Sequence, residues 1–382
     1  MTSKVYFIDF RATSKESLVE KLARLCEIAG IKNVLSKNDL TAVKIHFGEK
    51  GNTAFIRPPY IRKIIKCIQA AGATPFLTDA NTLYAGSRSD AISHIKTAID
   101  NGFSYSSMAA TPLVIADGLR GNSETKIKIN RKNCSHVYIG SEIVNADALI
   151  SIAHFKGHEL AGFGGTLKNL GMGCASRKGK MVQHANVSPK VKKKSCIACS
   201  ECINHCPVTA IKLVDKKAFI DSEKCIGCGE CIIRCPNEAI QIRWSQDIPL
   251  FFEKMMEYTE GVLKNKKKKS FFINIVADVS PTCDCLPYND YPIVKDIGIL
   301  ASTDPVAIDQ ASADLVNNEE ALPGTILQCN MHKGEDKIKG LYPNVDWQYQ
   351  LEYAQSLGLG NCAYELEKIE TLSYDVKIKP KP

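Results

Sequence analysis

Residues 148–174 read ALISIAHFKGHELAGFGGTLKNLGMGC, an apolar run that leads into a loop rich in glycine and reactive side chains. The opening Ala148–Ala153 is rich in apolar residues, which predicts a buried strand. Residues 154–174 contain six glycines, two histidines, two lysines and one cysteine. Glycine at this density is typical of a backbone that closely approaches another group. The stretch therefore predicts a buried strand whose end opens into a binding loop.

Similar strand patterns alternate with helical patterns along the chain. The further strands are predicted at Val5–Phe10, Ala42–Phe47, Pro75–Thr78, Leu113–Ala116 and Phe271–Ala277. The helices are predicted at Lys15–Ala29, Pro59–Ala71, Asp90–Asn101 and Leu250–Leu263. This alternation predicts an α/β fold with a largely parallel sheet that is covered by helices on both faces.

Polar side chains follow several of these strands at the point where each strand ends. Ligands of parallel α/β sheets bind beyond the carboxyl ends of the strands, so such residues are expected to share one edge. The residues expected there to bind or orient a ligand are Lys44, His46, Arg57 and Asp79, together with His154, Cys283 and Cys285.

Two cysteine runs form the most specific motif in the sequence. From Cys196 the chain reads CIACSECINHCP, and from Cys225 it reads CIGCGECIIRCP, so the pattern C-x2-C-x2-C-x3-C-P occurs twice. Three closely spaced thiolates can wrap three corners of a 4Fe–4S cubane, and a fourth thiolate meets the last corner. The alternative is a zinc ribbon built from paired C-x2-C motifs. The doubled run favours iron–sulfur clusters.

Residues 191–243 resemble the bacterial two-cluster ferredoxins, in which the fourth cysteine of each run binds the other cluster. The resemblance implies that one cluster is held by Cys196, Cys199, Cys202 and Cys235, and the other by Cys225, Cys228, Cys231 and Cys206. Between the runs, IKLVDKKAFID predicts a hairpin with its turn near Asp215–Lys217. The ferredoxin-like segment is thus expected to be inserted between two parts of an α/β domain, residues 1–190 and 244–382.

The glycine-rich loop fails the standard phosphate-binding fingerprints, because Leu167 stands where both require glycine. Backbone amides ahead of a short helix near Thr166–Leu170 remain, and such amides favour an anion. Gly162, Gly164 and Gly165 are expected to bind it, with Lys168 close by. His154, His158 and His184 are the expected acid–base groups; the spacing of His154 and His158 suits one helical face, although Gly157 weakens that interpretation.

The C-x-C pair Cys283 and Cys285 is either structural or a metal or redox pair. With Cys174 as a third thiolate and His184 as an imidazole, the pair would form a transition-metal site. The remaining cysteines lie in helical or scattered settings and are interpreted as structural: Cys26, Cys67, Cys134, Cys329 and Cys362.

Four stretches resemble a family known only as a domain of unknown function, number 362. They are residues 44–60, 154–184, 281–285 and 296–311. Many members of that family carry a ferredoxin insertion, but its reaction is not established. The order His, Gly-x-Gly-Gly, Lys and a distal His is also similar to the loop of the lactate racemase family, where a lysine holds a nickel-pincer pyridinium cofactor. That similarity implies a cofactor-holding role for Lys168 and proton transfer by His154 or His158 and His184, although Gly164 stands where that family usually has serine.

Composition narrows the class of protein further. No apolar run in the 382 residues approaches the ~20 needed to span a membrane, and the opening MTSKVYFIDF lacks a signal-peptide core, so a soluble cytoplasmic protein is expected. Sixteen cysteines in such a chain indicate metal or redox chemistry. The net charge of +8 is spread out, and its two lysine runs lack interleaved aromatic residues, so nucleic-acid binding is not expected.

These features together predict a cytoplasmic iron–sulfur oxidoreductase, suited to an anaerobe. Electrons would pass from a redox partner protein through two 4Fe–4S clusters to a small anionic substrate, or to an additional metal or organic cofactor, at the glycine-rich loop. Two alternatives stay open from the sequence. One is a non-enzymatic electron carrier or redox-assembly factor, and the other is a metal-cofactor enzyme that resembles lactate racemase.

Overall fold

The computed structural model describes residues 2–184, 189–242, 247–266 and 268–372. Its strands are β1 (Ser3–Asp9), β2 (Leu40–Lys44), β3 (Thr74–Asp79), β4 (Leu113–Ile115), β5 (Glu124–Lys128), β6 (His136–Gly140), β7 (Ala148–His154), β8 (Lys156–His158), β9 (Gly162–Gly164), β10 (Lys190–Val191), β11 (Ile211–Val214), β12 (Lys217–Ile220), β13 (Ile240–Gln241), β14 (Ser270–Val276), β15 (Gly298–Ser302) and β16 (Tyr364–Lys368).

Its α-helices are α1 (Leu18–Ile28), α2 (Pro58–Ala70), α3 (Ala91–Asp100), α4 (Ser141–Asn145), α5 (Thr166–Gly171), α6 (Arg177–His184), α7 (Glu201–Asn204), α8 (Glu230–Arg234), α9 (Ile248–Leu263), α10 (Pro305–Asn317), α11 (Lys337–Leu341) and α12 (Gln348–Ser356). A 3-10 helix spans Ile31–Val34. Within the described part of the chain, no helix has the length and apolar character that crossing a membrane requires.

Eight strands form the central sheet in the order β16-β1-β15-β14-β7-β2-β3-β4. Every neighbouring pair is parallel except the two pairs made by β15, so β15 runs against the other seven strands. Helices flank the sheet. The prediction of an α/β fold with a largely parallel sheet is therefore confirmed.

The central strand β7 shows why the sheet is covered on both faces. All seven of its residues are buried, and it pairs in parallel with β2 on one side and β14 on the other. Because successive side chains of a strand point to opposite faces, Ile150 and Ile152 enter the core shared with α1 and α2, while Leu149 enters the core shared with α5 and α9. The apolar run therefore has the pattern of a strand buried on both faces.

The sequence missed strand β15, whose five residues are all buried between β1 and β14. Its first residue, Gly298, lies so close to β1 that an added Cβ would be 2.1 Å from the carbonyl oxygen of Ile8.

The loop after β7 is not helical, so His154 and His158 do not share one helical face. It forms the hairpin β8–β9, in which Lys156 pairs with Gly164 and His158 with Gly162.

The cysteine-rich segment repeats one backbone conformation twice. Positive φ angles occur at Ala198 and Gly227, at Ser200 and Gly229, and at Thr209 and Glu238, each pair being 29 residues apart. The predicted hairpin is confirmed as β11–β12, with Val214 opposite Lys217. Residue 243, the predicted end of the insertion, lies outside the described residues, and the domain boundaries stay a prediction.

Candidate functional site

A solvent-open cavity, about 940 Å³ when the open solvent at its mouth is included, lies at the carboxyl ends of β2, β3 and β7. The glycine-rich loop, helix α6 and the C-x-C loop after β14 complete its walls. The sequence-predicted residues that line it are Lys44, His46, Asp79, His154, His158, Gly164, Gly165, Lys168, His184, Cys283 and Cys285. The structure thus brings together residues from most of the predicted strand ends.

Three predicted site residues do not line this cavity. Arg57 is exposed and forms ion pairs with Asp278 and Asp296, at 3.1 and 3.8 Å. Gly162 packs against Trp347 instead, at a distance where an added Cβ would clash. Cys174 is buried beneath the loop, with its Sγ 3.8 Å from the carbonyl oxygen of Asn169. The structure therefore does not bring Arg57, Gly162 or Cys174 to this cavity, and the predictions that Arg57 orients the ligand, that Gly162 binds it and that Cys174 supplies a thiolate stay predictions.

The anion expected at the glycine-rich loop is supplied by the chain itself. The buried carboxylate of Asp309, on α10, accepts hydrogen bonds from the amides of Thr166 and Leu167, at 2.7 and 2.8 Å. A Cβ at Gly165 would lie 2.4 Å from the same carboxylate, which explains the glycine there. The first amides of α5 are therefore occupied, and the predicted anion site on these amides needs correction.

One corner of the cavity gathers two thiols, an amine and an imidazole. The Nζ of Lys168 lies 3.7 Å from the Sγ of Cys283, and the amide of Cys285 donates to that sulfur at 3.4 Å. The ligand atoms of His158, Cys283 and Cys285 lie within 4.8 Å of one another. The hydrogen bond from the Cys285 thiol, together with Lys168 and His158, holds the pKa of Cys283 well below its usual range despite burial. These contacts favour the thiolate form of Cys283.

By composition, His158, Cys283 and Cys285 could hold a transition metal. The hydrogen bonds around them fit that role poorly. The Nδ1 of His158 accepts from the amides of Leu160 and Ala161 at 3.2 and 3.1 Å, so the proton of the neutral ring is on Nε2. Metal-binding histidines have the opposite arrangement, in which the second nitrogen donates. The ammonium of Lys168 also occupies the position of a compensating cation beside Cys283. The corner therefore fits a cation-stabilised thiolate better than a metal.

His154 has both ring nitrogens engaged at the end of β7. Its Nδ1 lies 2.9 Å from both carboxylate oxygens of Asp284, and its Nε2 lies 2.8 Å from the carbonyl oxygen of Ala277. Both ring nitrogens thus face acceptors of the chain itself. The ring positions Asp284, and proton transfer by His154 to a ligand stays a prediction that these contacts do not favour.

A wall of buried ion pairs closes the cavity on the side of β2 and β3. The Nζ of Lys44 lies 3.0 Å from Asp79 and donates to Asn169 at 2.7 Å. Arg88 pairs with Glu49 at 3.1 Å and lies 3.6 Å from Asp79. Burial tends to raise the pKa of Asp79, but Lys44 and neighbouring histidines hold it well below its usual range. Its Oδ2 accepts no hydrogen bond from the described residues, which leaves one acceptor facing this wall.

Helix α6 contributes one residue that the sequence identified and one that it missed. The ring of His184 stacks on Phe251 at 5.2 Å, and burial lowers its pKa to about 3, so the imidazole is neutral near pH 7. Lys180 also lines the cavity, where burial lowers its pKa to about 8. The four-residue spacing of Lys180 and His184 on one helix face was the signal that could have identified Lys180.

The eight cysteines of the two runs line two smaller cavities. One is lined by Cys196, Cys199, Cys202 and Cys235, and the other by Cys206, Cys225, Cys228 and Cys231. The fourth cysteine of each run accepts the same type of hydrogen bond, from Ala210 to Cys206 at 3.2 Å and from Ala239 to Cys235 at 3.1 Å. The two cavities are therefore built from equivalent parts.

The second of these cavities lies next to the central one. Gly229, which lines it, is so close to Leu83 that an added Cβ would be 2.8 Å from the leucine Cδ1. Leu83 in turn lines the central cavity. An ion pair of 3.1 Å between Arg177 and Glu230 fixes the same junction.

Solved structures match this chain, among them the following two. The apoprotein of lactate racemase from Thermoanaerobacterium thermosaccharolyticum matches with 13% identity and a TM-score of 0.36, over 72% of this chain and 51% of that one. A protein from Thermotoga maritima matches with 10% identity and a TM-score of 0.39, over 89% and 58%. The chain thus spans between half and three fifths of each structure, and no curated protein matches it. The model of the family described as "Domain of unknown function (DUF362)" matches residues 41–314, and the chain belongs to this family.

Proposed function

We propose that the chain is a cytoplasmic iron–sulfur oxidoreductase, with a ferredoxin-like insertion that holds two 4Fe–4S clusters. The observation that carries this proposal is the sorting of the eight cysteines. Each small cavity combines three cysteines of one run with the fourth cysteine of the other. This three-plus-one sorting is the ligand pattern of two-cluster ferredoxins. When bound, such clusters supply one-electron transfer.

The same sorting argues against zinc. A zinc ribbon would combine two C-x2-C pairs, for example Cys196 and Cys199 with Cys225 and Cys228. Those two pairs line different cavities. Backbone amides also donate to Cys196, Cys206 and Cys235, and such hydrogen bonds stabilise cluster thiolates.

The central cavity is the proposed site of reduction. The contact between Gly229 and Leu83 makes it the neighbour of the second cysteine cavity. Its lining carries five basic side chains, Lys44, Arg88, Lys156, Lys168 and Lys180. The first three pair with the carboxylates of Asp79, Glu49 and Asp284. Lys168 and Lys180 form no ion pair with a carboxylate of the described residues, and these two lysines favour an anionic substrate or cofactor.

A redox partner protein is proposed to dock over the first cysteine cavity. Ile197 and Leu213 line that cavity and remain 60% and 42% exposed. Five exposed lysines lie within five positions of one of them along the chain, and we call these seven residues the lysine-ringed patch: Ile197, Leu213, Lys192, Lys193, Lys194, Lys212 and Lys216. Apolar side chains accompanied by positive charge fit a partner with an acidic surface.

Metal analysis of anaerobically purified protein tests the proposal. About eight irons and eight sulfides per chain are expected, as two 4Fe–4S clusters require. Cys202→Ser and Cys231→Ser should each remove about half of the iron, because each changes a different cavity. Cys329→Ser, at an exposed cysteine outside both runs, is the matched control and should keep all of it. Zinc in place of iron in the fresh protein would overturn the proposal.

A non-enzymatic electron carrier remains the alternative, and the central cavity distinguishes the two functions. A carrier needs only its clusters and a docking surface, so Lys168→Ala should leave electron transfer from partner to clusters and onward unchanged. An oxidoreductase should keep cluster reduction in this variant and lose turnover of its substrate, because Lys168 lies inside the cavity.

A further inference from the structure

We propose that Cys283 and Cys285 form a redox-active dithiol that reduces small, negatively charged disulfides in the central cavity. This inference rests on the proposed function for its supply of electrons. Both cysteines line the cavity, both are free thiols, and their sulfurs lie within 4.8 Å of each other. The thiols therefore face a space large enough for a ligand, at a separation that a small shift can close to a disulfide.

Both thiols line the cavity from a turn, in which the amide of Leu286 donates to the carbonyl oxygen of Cys283 at 3.0 Å. Asp284, between them, turns away from the cavity and contacts His154 at 2.9 Å and Lys156 at 3.5 Å. Its side chain is completely buried. The loop is thus oriented by one buried ion-pair network, and the two sulfurs are presented together.

Hydrogen bonds to the backbone hold the C-x-C loop in place. The amide of Gly157 donates to Ser280 at 2.8 Å, the amide of Glu49 donates to Asp284 at 3.0 Å, and the hydroxyl of Tyr84 donates to Cys285 at 2.9 Å. These donors come from three different segments of the α/β domain. Such preorganisation is typical of a reactive site.

Two sulfurs in different states are what a disulfide reductase needs. Cys283 is the nucleophile, since Lys168 and the Cys285 thiol stabilise its thiolate. Cys285 is the resolving thiol and keeps its proton until the first step is complete. The ammonium of Lys168, 3.7 Å from the attacking sulfur, also stabilises the thiolate that leaves.

The chemistry balances with electrons from the acidic redox partner. The Cys283 thiolate attacks one sulfur of R–S–S–R, the substrate S–S bond breaks, and RS⁻ leaves as a mixed disulfide forms. RS⁻ takes the Cys285 proton, Cys285 attacks Cys283, and a second RS⁻ leaves as the Cys283–Cys285 disulfide forms. Two electrons from the reduced partner, delivered singly, and two protons restore the thiolate–thiol pair and protonate the second RS⁻. The sum is RSSR + 2e⁻ + 2H⁺ → 2 RSH.

Charge in the cavity selects the class of disulfide. Among the described residues, Lys168 contacts the sulfur of Cys283 and Lys180 contacts a backbone carbonyl oxygen, and neither lysine forms an ion pair with a carboxylate. A substrate that carries carboxylates or phosphates would place negative charge beside these two lysines. A disulfide with cationic groups would meet the same lysines with repulsion.

Trapping of a mixed disulfide tests the inference. Holoprotein carrying Cys285→Ser is mixed with oxidised glutathione, an anionic disulfide, and the modified peptide is identified by mass spectrometry. We expect one glutathione on Cys283, no adduct on the central pair in the wild-type protein, and none there in Cys283→Ser. Cystamine, a cationic disulfide, should react at least about tenfold more slowly. Cys329→Ser serves as the control that behaves as wild type.

Iron content and reduction of the clusters by dithionite are measured on the same samples. Full clusters with an inert Cys283 would overturn the dithiol and leave the iron–sulfur proposal standing. A Cys283 adduct in a protein without iron would overturn the iron–sulfur proposal and leave the dithiol standing. Stoichiometric nickel or zinc that is lost in Cys283→Ser would overturn the dithiol, because the pair would then be a metal site.

Discussion

At the scale of single residues, the chemistry of the central cavity depends on side chains that stay charged inside the protein because they are paired. Lys168 is a half-buried lysine whose pKa nevertheless lies above its usual value: burial lowers it, and Cys283 and Cys285 more than offset that effect. Buried charges of this kind are stable only when they are paired. The lysine and the thiolate therefore stabilise each other, and loss of either one changes the state of its partner.

Lys168→Met should slow the reaction of Cys283 with iodoacetamide at pH 7. Removal of the ammonium 3.7 Å away raises the pKa of the thiol, so a smaller fraction of Cys283 is thiolate, the form that reacts. Each unit by which that pKa lies above pH 7 lowers the thiolate fraction about tenfold. The rate is measured from the alkylated Cys283 peptide over time. Lys339→Met, at an exposed lysine of α11, is the control and should leave the rate unchanged. Equal rates in all three proteins would contradict the assignment.

Asp309 provides a pH-dependent term in stability. Burial raises its pKa to about 6, so the folded protein holds this proton more tightly than the unfolded chain does. Stability from this group is therefore complete at low pH and is lost as pH rises to about 6. Between pH 5 and pH 8 the loss amounts to about 1.4 kcal/mol.

Asp309→Asn removes this titration. Its unfolding free energy, measured by chemical denaturation at pH 5 and at pH 8, should fall less over this interval than that of the wild-type protein, by about 1 kcal/mol. The variant will be less stable overall, because an amide cannot accept equally well from Thr166 and Leu167. A parallel pH dependence in both proteins would show that Asp309 is ionised equally in the folded and unfolded states.

At the scale of elements, the β11–β12 hairpin has a turn that its sequence does not favour. Asp215 and Lys216 have φ angles of 49° and 56°, the left-handed conformation that suits asparagine and glycine. Asp215→Asn with Lys216→Gly should therefore raise stability by about 0.5–1 kcal/mol. The melting temperature of the anaerobic holoprotein measures it. Lys212→Gly, inside strand β11, should instead lower that temperature, and an increase there would indicate that the turn is not the cause.

Elements that depend on local patterns were predictable from the sequence. The six predicted strands each correspond to an observed strand, because strands of a central sheet are rich in apolar and β-branched residues. The Asp215–Lys217 turn was found from the short strand-like runs on either side of it. β15 was missed because its five residues, GILAS, are too few to separate from a loop or a short helix.

Most residues of the site were predictable from the sequence. The contacts that set their roles were not, because those contacts join positions far apart in the chain. Strand ends indicated the edge of the sheet, and eleven predicted residues line the cavity there. The partners that set their roles lie far along the chain: Asp309 caps a helix that begins at Thr166, and Asp284 engages His154 from 130 residues away. No local pattern links such positions. The sequence therefore could not show that the first amides of α5 and the ring of His154 already have partners within the chain.

At the scale of the whole molecule, the proposed function implies a direction for electrons. Two residues of the lysine-ringed patch, Ile197 and Leu213, line the first cysteine cavity, and the second cysteine cavity lies against the central cavity through Gly229 and Leu83. The proposed entry and exit are thus at different places on the ferredoxin-like segment. The proposed partner would dock without blocking the substrate, which is a physical requirement for repeated turnover.

Charge reversal on the lysine-ringed patch should weaken docking of the redox partner and leave the later electron-transfer steps unchanged. In Lys193→Glu with Lys194→Glu and Lys216→Glu, we expect the rate of reduction by a reduced acidic ferredoxin to fall about 100-fold at low salt. The difference should shrink as the ionic strength rises toward 0.5 M, because screening weakens both the original attraction and the new repulsion. Stopped-flow absorbance of the clusters measures this rate.

The matched control reverses three exposed lysines elsewhere, Lys32→Glu, Lys333→Glu and Lys339→Glu, so that the net charge changes equally. If only total charge mattered, both triple variants would be slowed to the same extent, and the patch would lose its assignment. Reduction by dithionite, which needs no docking surface, should leave each variant with fully reducible clusters. A specific, salt-dependent loss in the patch variant alone would therefore locate the entry of electrons above Cys199, the exposed thiol of the first cavity.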